Sequence, residues 1–449
     1  MKRRFRTLGR ILALSGTLAL GLTMPRAAVA QFMAIQPIPG DPALPLSGEF
    51  PTAISPDGSI VVGTTTTGGV VGNGSSLGAL PGNRPFRWVK GVGTTDPGVG
   101  PSNGFVTAGG VSNDGSVIVG NSFANQLLAQ FNKGSVAYRW DATTGRVPIR
   151  GIPGTTNNTT TAGGVSGDGS VVVGMSATQR FFFGLPSGLP TFQQAYRWTQ
   201  ATGTVGLGFL PGAPIGSNEF STATGISADG SVIVGQSFVG VGAEAFRWTQ
   251  ATGMTGLGFL PGASQFVSSA TGVSRNGQFI VGNSYSANGS EAFLWDARDG
   301  MMPLGDLPGE GFSSTATVVT DNGTVYGNGR EDTGLLDQNG NPITQAAFVW
   351  DKKDGIRDLK QVLTADGMGD ALKGWTLLGV TGVSADGNTI TGYGYEPGQY
   401  DANGQLIYNG SYYQGWVAHV TPEPNAWVSL VMGVGGIGVW RLRKQRRAI

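Results

Sequence analysis

SADGSVIVG, residues 227–235, joins a turn to a β-branched run. Asp-Gly is a pair that a tight reversal accepts with little strain, because glycine takes positive φ freely and a short acid hydrogen-bonds nearby backbone. Val-Ile-Val suits a strand covered on both faces. One such stretch predicts a hairpin, but the chain writes it seven times. The turn glycine recurs at Gly58, Gly115, Gly169, Gly230, Gly277, Gly323 and Gly387, at intervals of 57, 54, 61, 47, 46 and 64 residues. That period is longer than the ~20–45 residues of most solenoid coils and points to propeller blades.

Each copy predicts four strands, here called a to d. The fourth copy shows them as STATGIS (221–227), SVIVG (231–235), EAFRWT (244–249) and MTGLGFLPG (254–262). Strand a is small-residued, as the innermost strand must be where blades converge on an axis. Strand b, apolar throughout, must lie between neighbouring blades. In strand c an aromatic and a tryptophan two positions apart share one face and can fill the space between blades. Seven of the ten tryptophans fall into this pattern: Trp88, Trp140, Trp198, Trp248, Trp295, Trp350 and Trp416. In the first copy no d strand can be placed after Trp88.

The last copy stops after its c-like GWVAHV (415–420), whereas FMAIQPIPG (32–40) resembles a d strand with nothing before it. An orphan d at one end and a missing d at the other predict a closed ring. The predicted fold is therefore all-β, a seven-bladed propeller of four-stranded blades, in which the N-terminal strand pairs with the C-terminal blade. Closure would remove the exposed edges between first and last blades. There is no cysteine, so neither disulfides nor thiolate metal clusters are available to brace it.

Both ends read as sorting segments rather than fold. Residues 1–30 combine a basic start with the apolar run Ile11–Leu22 and the small-residue pair Ala28 and Ala30, which predicts a signal peptide cleaved before Gln31, a signal anchor being the alternative. At the other end, Pro422-Glu423-Pro424 precedes the apolar stretch 426–440 and a basic tail, 441–447, bearing Arg441, Arg443, Lys444, Arg446 and Arg447. The apolar stretch predicts a transmembrane helix of about 22 Å, with the basic tail on the cytoplasmic side. This arrangement, 421–449, resembles the PEP-CTERM sorting signal; a plain tail anchor is the alternative. The resemblance implies export machinery and an exosortase-type peptidase as partners, and a place in the envelope, on the outer surface or in the extracellular matrix of a Gram-negative bacterium. Without residues 1–30 and the segment after Pro424, the body keeps 18 basic against 28 acidic residues, a net of −10. Such a body repels phosphate backbones, so no nucleic-acid partner is expected.

S-x-D-G-S-x-x-V-G, followed by A-F-x-W and L-G-x-L-P-G, resembles the extracellular HAF-repeat family across most of 31–420. The chain departs from the naming His-Ala-Phe triplet, with Glu244-Ala245-Phe246 and Glu291-Ala292-Phe293 in its place. No role of that family histidine carries over. Residues 197–212 and 247–262 match at 14 of 16 positions, which points to internal duplication.

The repeated acid could be a ring of catalytic or metal-binding carboxylates, or simply a turn residue. Asp57, Asp114, Asp168, Asp229 and Asp386 share their position with Asn276 and Asn322, while the glycine never changes. Asn keeps turn geometry and loses charge, so these residues read as structural. The sole histidine, His419, lies outside any repeated motif, and neither a catalytic set nor a cofactor or metal site is expected. Recognition is expected in the b–c connections, which must share one face. From the glycine of strand b to the strand-c tryptophan they run 25, 20, 24, 13, 13, 23 and 24 residues. Two are rich in aromatics: Phe181, Phe182 and Phe183 in the third, and Tyr393, Tyr395, Tyr400, Tyr408, Tyr412 and Tyr413 in the seventh. Such faces suit sugar rings or a surface protein; an extra hairpin packed on the seventh blade is the alternative. The sequence thus predicts a non-enzymatic binding or structural propeller offering this face to exopolysaccharide or protein, with a polysaccharide-acting hydrolase or lyase as the rival.

Overall fold

The computed structural model describes residues 30–38, 48–66, 83–99, 105–123, 135–153, 158–178, 181–182, 185–186, 192–212, 220–240, 242–263, 265–309, 311–333, 342–396, 399–400, 406–408 and 413–420. Among them, seven four-stranded antiparallel sheets follow one another as blades 1 to 7. Blade 4 consists of Ser221–Ile226, Val232–Phe238, Ala243–Thr249 and Gly253–Gly256, strands a to d. Strand d is shorter than the sequence predicts: after one more bond, from Leu257 N–H, the chain leaves the ladder, and Leu257 and Leu260 turn into the core beside blade 5. Blade 1 also has its d strand, the three residues Gly93–Thr95, too short to give a periodic signal.

Blade 7 is completed from the other end of the chain. Its strands are Thr376–Val383, Thr389–Tyr395, Tyr413–His419 and, outermost, Gln31–Ala34. The register runs Gln31↔His419, Phe32↔Ala418, Met33↔Val417 and Ala34↔Trp416. Ile35 N–H then donates to the Gly415 carbonyl at 2.8 Å, as Leu257 does to Ala245 and Leu304 to Ala292 in blades 4 and 5. The ring is closed as the two orphan ends predict.

One contact explains the glycine that follows each β-branched run. It does not end strand b; the strand passes through it and runs on for several residues. In every blade it pairs with the strand-c aromatic: Gly63 with Phe86, Gly120 with Tyr138, Gly235 with Phe246, Gly392 with Trp416. A Cβ on Gly63 would stand 2.6 Å from the Phe86 ring and 2.3 Å from the Phe50 carbonyl oxygen. The ring lies against bare backbone, and in every blade a side chain there would also strike a strand-a carbonyl. Tyr138 and Tyr196 also anchor their hydroxyls on the carbonyls of Thr107, at 2.8 Å, and Thr161, at 3.1 Å.

This register corrects the place of Trp416. Six tryptophans occupy one position two residues after the aromatic, but Trp416 sits in the aromatic's own position, opposite Gly392. Ala418 takes the tryptophan position and leaves a void, which Phe32 fills from the paired N-terminal strand, 5.1 Å from the Trp375 ring and 5.8 Å from Trp416. Trp416 is fully buried, and its indole N–H has no partner among the described residues.

The hydrophobic cores lie between blades. Val232, Val234 and Ala245 of blade 4 meet Ala270, Ile280 and Phe293 of blade 5. Phe32 joins the core between blades 6 and 7, while Ile35 joins that between blades 7 and 1. A short helix, α1 (Leu359–Leu363), follows blade 6 and buries Leu359 and Leu363 in the former core. Its cap, Asp358, accepts from the Gln361 N–H at 2.7 Å.

Every strand a carries a bulge near its middle, where the register slips by one residue. In four blades the extra residue is a threonine bonded to the next blade. Thr52 donates to the Ala108 carbonyl at 3.0 Å, Thr224 to Ala270 at 2.7 Å, Thr271 to Ala316 at 2.5 Å and Thr317 to Val380 at 2.7 Å. Blades 2 and 3 have Gly109 and Gly163 there. A Cβ on Gly163 would come within 2.2 Å of the Ala223 carbonyl oxygen, so blade 4 lies too close for a side chain.

Phe32→Ala empties the void beside Ala418 and frees the closing strand. It is expected to destabilise the protein by about 3–5 kcal/mol, read from the urea midpoint. An equivalent loss is not expected from Val92→Ala, whose side chain is 73% exposed.

Candidate functional site

The seven Asp/Asn turns lie together at one face of the ring. Six connect strands a and b through four residues and that of blade 6 through three, not the two-residue reversal expected from Asp-Gly. In blade 4, Gly230 N–H donates to the Ser227 carbonyl at 3.0 Å, and Gly230 has φ +72°. Asp229 Oδ1 accepts from the Ser227 hydroxyl at 2.6 Å and the Ser231 N–H at 3.0 Å; the Ser227 hydroxyl in turn accepts from Val232 N–H at 3.0 Å. The serines flanking Asp-Gly lengthen the turn because they supply this side-chain lattice. Asp57, Asp114, Asp168 and Asp386 repeat it. Asn276 and Asn322 use their amide oxygen for the same two bonds. What is shared is an acceptor, not a charge. The Ser112 hydroxyl, with Ser116, holds the Asp114 carboxyl down at about 2.

The turns also touch around the axis. Asn113 N–H donates to Gly167, Gly167 to Ala228 and Ala228 to Arg275, at 2.8 to 2.9 Å; Ala385 donates to Pro56 at 2.7 Å across the closing seam. Arg275 reaches across to Asn113 Oδ1 at 3.1 Å. Beneath them lies an axial cavity of about 260 Å³, walled by glycine, valine and isoleucine from all seven a strands. Among the described residues its charged lining groups are Arg275 and Asp321, both at the turn end. Burial lowers the Arg275 pKa, and Asp321 opposes that shift. Thr320, Thr381 and Ser384 add hydroxyls to the lining.

At the opposite face, where the b–c connections leave, the aromatic residues of blade 7 are only partly brought together. Tyr395 stacks on Tyr413 at 5.1 Å, Tyr393 meets Tyr413 edge-on at 5.8 Å, and Phe50 of blade 1 lies 4.6 Å from Tyr393. Gln345 of blade 6 donates to the Tyr393 hydroxyl at 3.2 Å. Tyr400 and Tyr408 belong to a small hairpin, Gln399–Tyr400 with Leu406–Tyr408. Phe181 and Phe182 pair with Pro186 and Leu185 in another hairpin. Tyr412, Phe183, Ala28, Pro422, Glu423, Pro424 and the basic tail lie outside the described residues; Ala30 and Gln31 lead into the closing strand. No described helix is long and apolar enough to cross a membrane.

Three carboxyl groups near this face, Glu49, Glu331 and Glu396, are pushed up by burial, and none stood out in the sequence. Glu49, in strand a of blade 1, is fully buried; burial pushes its pKa up to about 7 against the opposing Gln414 hydrogen bond. Burial also pushes Glu331 up, helped by its hydrogen bond to Asp358 and that group's charge. A single buried glutamate in a seven-residue strand has no periodic signature, and Glu331 meets Asp358 only through the fold. His419 Nδ1 lies 3.0 Å from the Thr389 hydroxyl, and burial, with Lys90 nearby, lowers its pKa. It is a strand-end residue, and the Asp386 carboxylate opposes that shift. Among the described residues no group of His, Cys, Asp or Glu could hold a metal ion.

No family model and no curated protein matches the chain. Solved structures do resemble it. A putative TolB from Agrobacterium tumefaciens has 16% identity and a TM-score of 0.35, over 57% of this chain and 80% of that one. The β-propeller domain of the Trilobed protease from Pyrococcus furiosus has 12% identity and a TM-score of 0.45, over 85% and 97%. A Mycobacterium tuberculosis puromycin-hydrolyzing peptidase has 13% identity and a TM-score of 0.48, over 84% of this chain and 54% of that one. At such identities the likeness is one of fold alone.

If the turn acids serve as acceptors, Asp229→Asn leaves thermal stability within about 0.5 kcal/mol. Asp229→Ala strands the Ser231 N–H and the Ser227 hydroxyl and costs about 1–2 kcal/mol. Thermal melts of the two variants separate the roles of oxygen and charge.

Proposed function

We propose that this chain is an exported, non-enzymatic propeller that binds exopolysaccharide or a surface protein through the face bearing its b–c connections. The observation that carries the reading is the stack of Tyr395 on Tyr413, with Tyr393 and Phe50, at the junction of blades 7 and 1. All three tyrosines are partly exposed. Flat rings carrying hydroxyls stack on the apolar faces of sugars and hydrogen-bond their edges.

Export and sorting rest on the ends of the chain and on the resemblance to HAF-repeat and PEP-CTERM sequences. Replacing Pro422, Glu423 and Pro424 by alanine is expected to leave the C-terminal segment uncut. The mass of the mature protein reads this out, and normal trimming in that variant argues against the sorting signal.

The hydrolase or lyase reading has one observation of its own, the hydrogen-bonded Glu331 and Asp358 carboxyls. Two measurements divide the readings. Tyr395→Ala and Tyr413→Ala should each weaken retention of the protein on its exopolysaccharide by about tenfold, or 1.4 kcal/mol, with the fold intact. Glycan turnover that disappears in Glu331→Gln would replace binding by catalysis.

A further inference from the structure

At four blade junctions a buried hydroxyl at the start of strand a bridges strand c of the preceding blade to its strand d or the segment just after it. Ser221 accepts from Ala195 N–H at 2.9 Å and donates to the Gly208 carbonyl at 2.7 Å; Ser268 accepts from Ala245 at 2.9 Å and donates to Gly258 at 2.7 Å. Ser314 and Thr160 do the same with Ala292 and Gly305, and with Ala137 and Ile149. The position requires a group that accepts and donates at once, as a hydroxyl does.

At the closing junction, between blades 7 and 1, the residue in this place is Glu49. Glu49 Oε2 accepts from Gln414 Nε2 at 3.2 Å, and the same amide donates to the Ile35 carbonyl. Glu49 thus touches, through one amide, strand c of blade 7 and the N-terminal segment that completes the ring. Its Oε1 is buried and has no partner among the described residues. A neutral carboxyl, like a hydroxyl, can both accept and donate and leaves no charge on the unpartnered oxygen; a carboxylate only accepts and would bury that charge uncompensated.

We propose that Glu49 is a proton-operated latch, which holds the N-terminal strand in the ring when its carboxyl is protonated and loosens that strand when it ionises. The surroundings agree. No ion pair reaches Glu49 among the described residues, and Glu396, the nearest carboxylate from blade 7, opposes ionisation. Tyr393 and Tyr413 face the junction from blade 7, and Arg84 stands two strands away in the Glu49–Thr65–Arg84 row. Burial holds the carboxyl near 7 in the folded chain against 4.5 for the free group. The stabilising proton is therefore fully in place below the unfolded value and is lost as pH rises through the folded one.

Urea unfolding of the full chain at pH 5.5 and 8.5 tests this. The unfolding constant of the wild type should rise by about thirtyfold over that interval through Glu49 alone. Glu49→Gln should remove that component, and Glu49→Ser, which restores the hydroxyl of the other junctions, should remove it as well. Glu331→Gln should keep it. Hydrogen-exchange protection of the Gln31–Ile35 amides should fall at pH 8.5 in the wild type and hold in Glu49→Gln. A pH dependence identical in the wild type and both Glu49 variants overturns the proposal, as does unchanged protection of those amides.

Discussion

A ring of blades is continuous except where the chain's two ends meet, and at that joint covalent connection gives way to four residues of strand. Gln31–Ala34 pair with Trp416–His419, so the hydrogen bonds that complete blade 7 come from the opposite end of the sequence. The same segment places Phe32 in the core between blades 6 and 7 and Ile35 in the core between blades 7 and 1. If the strand leaves, both cores lose a wall and blade 1 loses its neighbour. The substitutions at the joint answer this demand: Ala418 makes room for Phe32, and Gly415 admits the Glu49 carbonyl oxygen at 2.7 Å from where a Cβ would stand.

Much of this was legible because the fold repeats. The Asp-Gly interval gave the blade count, and the likeness of FMAIQPIPG to MTGLGFLPG gave the joint, down to Ile35 and Leu257 making equivalent hydrogen bonds. What was misread were features whose cause lies across a strand rather than along it. The glycine after Val-Ile-Val looked like a terminator; it is a platform for an aromatic ring that sits far along the chain. Trp416 looked like a seventh member of the tryptophan series, because in sequence it follows a glycine and a strand-like run. Only register shows it two positions out of place. The threonine bonds between a strands had no signal beyond small size, since their acceptors belong to the next blade.

The candidate binding face divides along similar lines. Sequence singled out a tyrosine-rich connection in the seventh copy, and three of those tyrosines meet with Phe50 at the joint. Phe50, Gln345 and Glu49 come from blades 1 and 6 and carry no motif, so they become visible only once the ring closes. Joint and aromatic cluster share one place: Phe50 follows Glu49 directly, and its ring rests on Tyr393. Whatever disturbs closure also disturbs the arrangement of these rings.

Closure can be tested without relying on stability, because the chain has no cysteine of its own. In the double variant Gln31→Cys with His419→Cys, the two thiols occupy paired positions of adjacent strands, within the reach of a disulfide. Mild oxidation should give a monomer whose peptide map contains the 31–419 crosslink in high yield. Free thiols, or crosslinks only between separate chains, would mean that the two ends do not share a sheet, and the ring would have to be abandoned.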